Sequence, residues 1–337
     1  MNGTGRTPPA GRTALAALAL VAALLAVPAG TATGAGQSSP AAAPGVPETF
    51  RPASPLPVPT APERETCADG SDPAAGLRPS GEAGPAVRRI QERGRLVVGV
   101  DQNSYLWGFR APGSGEITGF DIDLVRAVAE DLLGERPTVV YRAVPTAERI
   151  PRILDGTLDM VVRTMSVTCE RREHIAFSTA YFEAGQQMLA PHGSPVTGWD
   201  ASLRDARVCA ARGSTAADLL AAESHGAATV LVPHQLDCLV RVQLGEADAV
   251  MTDNALAAGQ AAQDPAMRLV GEPVTVEPYA IAMHPDDEDL IRRVNRVLEE
   301  FRGDGGPGSP WRDSYDRWLA GHLGDRSPRP PGPVYRD

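Results

Sequence analysis

The chain contains no lysine; all 32 of its basic residues are arginine. That absence excludes Schiff-base catalysis on a lysine, pyridoxal-phosphate chemistry included. Positive charge is not in excess either: 42 acidic residues leave a net charge of −10 with no basic tract, so a nucleic-acid partner is not expected. Cys-x-x-Cys spacing is missing and the 6 histidines are scattered, which leaves no case for a metal, and no cofactor is expected. Aromatic residues make up only 5% of the chain, so the cluster Tyr105, Trp107 and Phe109 stands out as a pocket wall or a packing centre. The apolar run at residues 14–27 is short for a membrane span of about 20 residues.

That run follows Arg6 and Arg12 and precedes Pro28 and a stretch of small residues, the layout of a secretory signal over residues 1–36. An exported product is expected, cleaved after Ala32 or Ala35 or else left anchored by the run. Export gives the four cysteines a meaning: Cys67, Cys169, Cys209 and Cys238 are an even set in an oxidising compartment, so two disulfides are expected. Three pairings are open. Cys209 with Cys238 would bridge one β-α-β passage and leave Cys67 beside Cys169.

A length of 337 residues fits two lobes with appendages, and the expected class is α/β. Residues 37–94 are a Pro/Ala-rich linker, unable to bury enough surface to offset its ordering entropy, followed by a first helix. Residues 95–189 read as the first lobe, 190–280 as the second, 281–324 as the return to the first, and 325–337 as a Pro-rich tail. Crossings between lobes are expected at residues 187–191 and 278–283. Within the first lobe, residues 95–100 and 138–142 are apolar strands, and residues 119–134 carry apolar side chains at helical spacing, with Asp121 and Asp123 as first-turn caps.

The chemistry concentrates where strands end. Residues 158–162 form a buried strand, and Arg163, Thr164, Ser166, Thr168 and Arg171 follow it, a set of hydroxyls and guanidinium groups suited to a carboxylate. Such a loop at the carboxyl edge of an α/β sheet is where small ligands bind. In the second lobe, Arg212, Gly213, Ser214 and Thr215 lie between a strand and a helix, and glycine followed by amides at a helix start makes an anion site. Asp253 ends another strand, as an acceptor for an ammonium group or as a cap for the next helix.

Four motifs in order, Gly119-Phe120-Asp121-Ile122-Asp123-Leu124, residues 159–171, Gly213-Ser214-Thr215 and Ala247-Asp248-Ala249-Val250-x-x-Asp253, resemble the polar amino-acid-binding receptors of ABC importers over residues 95–324. Cys67, the segment around Cys169 and the tail extend the similarity to glutamate-, glutamine- or aspartate-binding proteins of high-GC Gram-positive bacteria. The resemblance implies the two-lobed type II periplasmic-binding-protein fold and a monomer that catalyses nothing. It places the α-carboxylate on Arg171, assisted by Ser166 and the amides of Ser214 and Thr215, and the ammonium on Asp253 and the carbonyl near Thr164. Asp101 and its neighbours, with Tyr105 and Trp107 beside them, would line the side-chain pocket. Arg163 departs from the family pattern, and a second guanidinium there would suit a side-chain carboxylate, hence glutamate or aspartate rather than glutamine or asparagine. The implied partner is an importer permease or a signalling membrane protein. No lipobox cysteine follows the apolar run. Some relatives on this fold resemble cyclohexadienyl dehydratases, for which Asp101, Glu170 or Glu183 would have to be the acid.

Overall fold

A computed structural model describes residues 62–323 and 329–337. The expected signal over residues 1–36, the first part of the linker and the start of the tail lie outside the described residues. Among those described, no helix is long and apolar enough to cross a membrane.

The first lobe grows from the strand Leu96–Val100, buried at four of its five positions. It pairs in parallel with Val139–Ala143 on one side and Met160–Val161 on the other; Ala282–Met283 then runs antiparallel to Met160–Val161 and to Ala176–Phe177. Helix Phe120–Leu133 turns Phe120, Leu124, Val125, Val128 and Leu132 onto this core, and each such side chain removed from water contributes about 1.5–3 kcal/mol. Gly119 starts that helix at φ +131°, and a Cβ there would sit 2.3 Å from the Trp107 carbonyl oxygen, so no other residue fits. Helices Glu288–Arg302 and Pro310–Trp318 close the lobe; Trp311 Nε1 donates to the Tyr181 carbonyl at 2.8 Å.

The second lobe repeats the plan. Arg207–Ala211 pairs in parallel with Ala228–Val232 and Ala249–Asp253, and Gln186–Pro191 runs antiparallel between Ala249–Asp253 and Met267–Val270. In both sheets the middle strand of five, Met160–Val161 or Ala249–Asp253, pairs in parallel on one side and antiparallel on the other.

Two expectations shift. Residues 187–191 are not a crossing but part of the strand Gln186–Pro191, inside the second sheet, and the boundary drawn after residue 189 falls within it. The crossing pair is Phe182–Ala184 against Glu277–Tyr279, antiparallel, and the apolar stretch at 278–283 divides into a crossing strand and the first-lobe strand Ala282–Met283. Composition also misleads at the end of the linker. Residues 62–80 are held in place: Cys67 is bonded to Cys169, Arg64 bridges Val276 in a β-bridge, and Gly76 bridges Tyr335 of the tail. A covalent bond and main-chain pairing there supplement the burial of Ala74 and the packing of Leu77 on the core.

The second disulfide joins Cys209, on Arg207–Ala211, to Cys238, on helix Gln235–Gln243, across 29 residues of sequence. Replacing both cysteines by serine is expected to lower unfolding stability by about 2–4 kcal/mol through the freed unfolded chain, read from urea denaturation. A change under about 0.5 kcal/mol would mean that the packing of that helix already supplies the constraint.

Candidate functional site

The loop after Met160–Val161 is shaped by buried polar contacts. Thr164 has φ +40°, an uncommon conformation for threonine, and its N–H donates to Asp121 Oδ2 at 2.9 Å. Asp121 Oδ1 accepts from the Tyr181 hydroxyl at 2.8 Å, and burial pushes its carboxyl up to about 7. Asp121 is therefore a brace for the loop rather than the helix cap expected from its position. Asp123 also reaches away from its own helix, accepting from Ser314 Oγ and Trp318 Nε1 at 2.8 Å each.

Beyond the loop, Thr168 caps the short helix Cys169–Arg172, its Oγ1 accepting from the Arg171 N–H at 3.2 Å. This turn, pinned by Cys67–Cys169, aims the Arg171 guanidinium at Ser166 O (2.7 Å) and across to Gly213 O of the second lobe (3.3 Å). Arg149 converges on the same carbonyl: Nε donates to Thr146 O at 2.9 Å and Nη2 to Gly213 O at 3.2 Å. Gly213 adopts φ +74°, and a Cβ on it would meet Ala147 Cα at 2.9 Å, so the two lobes touch here through glycine. Trp107 Nε1 makes a second contact between lobes, donating to Ala255 O at 3.1 Å.

Between the walls lies a cavity of about 20 Å³, so the lobes stand closed upon each other. Thr146, Arg149, Arg163, Thr164, Ser166 and Arg171 line it from the first lobe, and Ser214, Thr215, Gln235, Thr252 and Asp253 from the second. Of the candidate ligand residues, Arg163, Thr164, Ser166, Arg171, Ser214, Thr215 and Asp253 are thus brought together. Asp253 makes no cap hydrogen bond to the following helix; its Oδ1 accepts from Gln186 Nε2 at 2.9 Å.

Other candidates are elsewhere. Arg212 is exposed and does not line the cavity. Trp107 is fully buried in the first-lobe core, edge-on to Phe120, Phe182 and Tyr279, and Tyr105 packs against Phe109 and His322; neither is a pocket wall. Asp101 stands behind the cavity, paired with Arg163 at 2.7 Å and accepting from the N–H groups of Gln102 and Asn103 and from Ser104 Oγ. With Arg163 so compensated, its charge is spent inside the first lobe. The acids considered for a dehydratase are no better placed: Asp101 is paired, Glu170 is exposed, and Glu183 pairs with Arg64.

Sequence reasoning missed Arg149, Gln186, Gln235, Thr146 and Glu277. Arg149 shares a helix face with buried Ile153 four residues on, and that phase was the signal that it turns inward. Arg149, Arg163 and Arg171 are 4%, 3% and 7% exposed, which makes three buried cations in one wall. Burial holds Arg149 well below the usual arginine range, with Arg171 and then Arg163 adding to it; burial lowers Arg171 as well. Among the described residues neither Arg149 nor Arg171 is in an ion pair, and both donate to carbonyls. Burial, then Glu277, pushes Asp253 well above the ordinary carboxylate range.

Comparison with known proteins agrees with the two-lobed architecture. Residues 96–320 match the family model of bacterial extracellular solute-binding proteins, family 3. The glutamine-binding protein of an ABC transporter in Bacillus subtilis is 32% identical over 68% of this chain and 83% of its own length. A glutamate-binding protein of Corynebacterium efficiens is 28% identical over 73% of this chain and 84% of its own. A crystal structure of an ancestral amino-acid-binding protein, a precursor of cyclohexadienyl dehydratase, superposes with TM-score 0.63 at 28% identity, covering 70% of this chain and all of that one. The two lobes are those of the type II periplasmic-binding-protein fold, the function is that of an amino-acid-binding receptor, and the chain belongs to the bacterial extracellular solute-binding proteins of family 3.

Proposed function

We propose that the cleft receives an acidic amino acid, glutamate or aspartate, outside the cytoplasm. One observation carries the choice: Arg149 and Arg171 are two buried guanidinium groups, neither of them ion-paired among the described residues, in the wall of one cavity. A zwitterion with a neutral side chain supplies one carboxylate; an acidic amino acid supplies two. Arg171, with the helix start at Ser214 and Thr215, takes the α-carboxylate, and Arg149 takes the side-chain carboxylate. Asp253 takes the ammonium group. Arg149 thus fills the role that sequence reasoning gave to Arg163, whose charge Asp101 already meets.

An amino acid needs more room than the closed cavity offers, so the lobes must part about the crossing strands Phe182–Ala184 and Glu277–Tyr279 and close again over it. Ligand bridging both walls favours the closed form, a hinge movement between two states. The closed surface then presents itself to a membrane partner, the permease of an ABC importer or a signalling protein. The relatives that carry amino acids for ABC transporters favour the importer.

Arg149→Gln tests the assignment. Charged hydrogen bonds contribute about 1.5–3 kcal/mol, so glutamate affinity should fall by about 10–150-fold while glutamine affinity changes far less, as read by titration calorimetry. Equal losses for both ligands would take the side-chain carboxylate away from Arg149.

A further inference from the structure

Asp253 does not stand alone in the second-lobe wall. One amide joins its carboxyl to that of Glu277: Gln186 Nε2 donates to Asp253 Oδ1 at 2.9 Å and to Glu277 Oε2 at 3.2 Å. Both acids are buried. Two ionised carboxylates joined through one amide in a dry site repel each other strongly, and a proton on one of them removes the repulsion. Glu277 Oε2 also accepts from Ser166 Oγ at 2.5 Å and Thr215 Oγ1 at 2.8 Å, and Oε1 from Thr275 Oγ1 at 3.1 Å. Four donors, from Gln186, Ser166, Thr215 and Thr275, thus gather on Glu277, while burial, then Glu277, holds the Asp253 carboxyl well above its ordinary range and leaves the proton there.

Glu277 reaches this place from the crossing strand Glu277–Tyr279 and binds a hydroxyl of each lobe, Ser166 of the first and Thr215 of the second. We propose that Glu277 is a positioning residue that sets affinity and pH response: it keeps one proton on Asp253, which the ligand's ammonium group must displace on binding. The proposal rests on the assignment of Asp253 to the ammonium group. The step is balanced: the Asp253 O–H bond breaks, its proton leaves to solvent, and the ammonium donates to the carboxylate that remains. Around the pair, Arg171 and Arg149 of the first lobe and the Tyr279 hydroxyl of the crossing strand favour ionisation of Asp253, while Asp218 of helix Thr215–Ala222 adds negative charge.

The sign follows. Below the raised pKa of Asp253 the free protein carries a proton that the complex lacks, so affinity rises with pH, by up to about tenfold per unit, and levels off above that pKa. L-glutamate is titrated calorimetrically into the full chain in two buffers of different ionisation enthalpy, at steps above about pH 5, where the ligand's own carboxylates are ionised. The expected result is a buffer-dependent heat equivalent to about one proton released per ligand bound, lost together with the pH slope in Glu277→Gln. Heat of binding that is the same in both buffers, with affinity flat in pH, overturns the proposal, and the wild-type protein alone decides it even if the variant does not fold. Absence of heat with glutamate and with every other amino acid would instead overturn the acidic-ligand assignment on which the proposal rests.

Discussion

Arg171→Ala should reduce amino-acid affinity by a factor of about 30 to 5,000, the 2–5 kcal/mol typical of truncating one side of a buried, hydrogen-bonded charge pair. The cause is geometric. A turn capped by Thr168 and fastened by Cys67–Cys169 presents the guanidinium to both lobes, so its loss removes the anchor of the α-carboxylate and a closed-form contact to Gly213 together. Fold stability should hold, because the residue is a buried cation with no ion-pair partner among the described residues and its burial is itself costly. Calorimetry and urea unfolding on the same preparation separate the two effects. An affinity equal to that of the parent would place the site elsewhere.

Arg163→Ala should act in the opposite way, on the fold more than on the ligand. The residue is 3% exposed and faces Asp101, itself buried, at 2.7 Å; removing it strands a carboxylate whose remaining partners are two amides and one hydroxyl. Breaking a buried ion pair from one side costs about 3–5 kcal/mol, which should appear as a drop in urea midpoint at unchanged slope. Replacing Asp101 by alanine as well should recover most of it, since the unpaired charge then disappears. A single variant as stable as the parent would mean that Arg163 is free to serve the ligand, as its sequence position had suggested.

The contrast between these arginines marks what a sequence can and cannot say. Strands such as Leu96–Val100 and Ala249–Asp253 were legible because apolar runs of that length, bounded by turns, have few alternatives. That Arg171, Ser214, Thr215 and Asp253 line one cavity was legible because they lie in the loops and helix starts that follow strands, or at a strand end. Partnership was not. Whether Arg163 spends its charge on Asp101 depends on a pairing 62 positions apart that no local pattern encodes, and the choice for Trp107 between pocket wall and packing centre is made by Phe120, Phe182 and Tyr279 around it. Glu277 was hidden for another reason: it belongs to a crossing strand, and its neighbours Ser166, Gln186 and Thr215 come from three separate stretches of chain. Composition failed at residues 62–80, where a disulfide and main-chain bridges add to the few apolar contacts that Ala74 and Leu77 supply.

The most direct measurement compares L-glutamate with L-glutamine on the unaltered protein by titration calorimetry at neutral pH. Two guanidinium groups in one wall, neither ion-paired among the described residues, favour a ligand with two carboxylates, so glutamate should bind at least about tenfold more tightly. Glutamine binding more tightly than both glutamate and aspartate would contradict it.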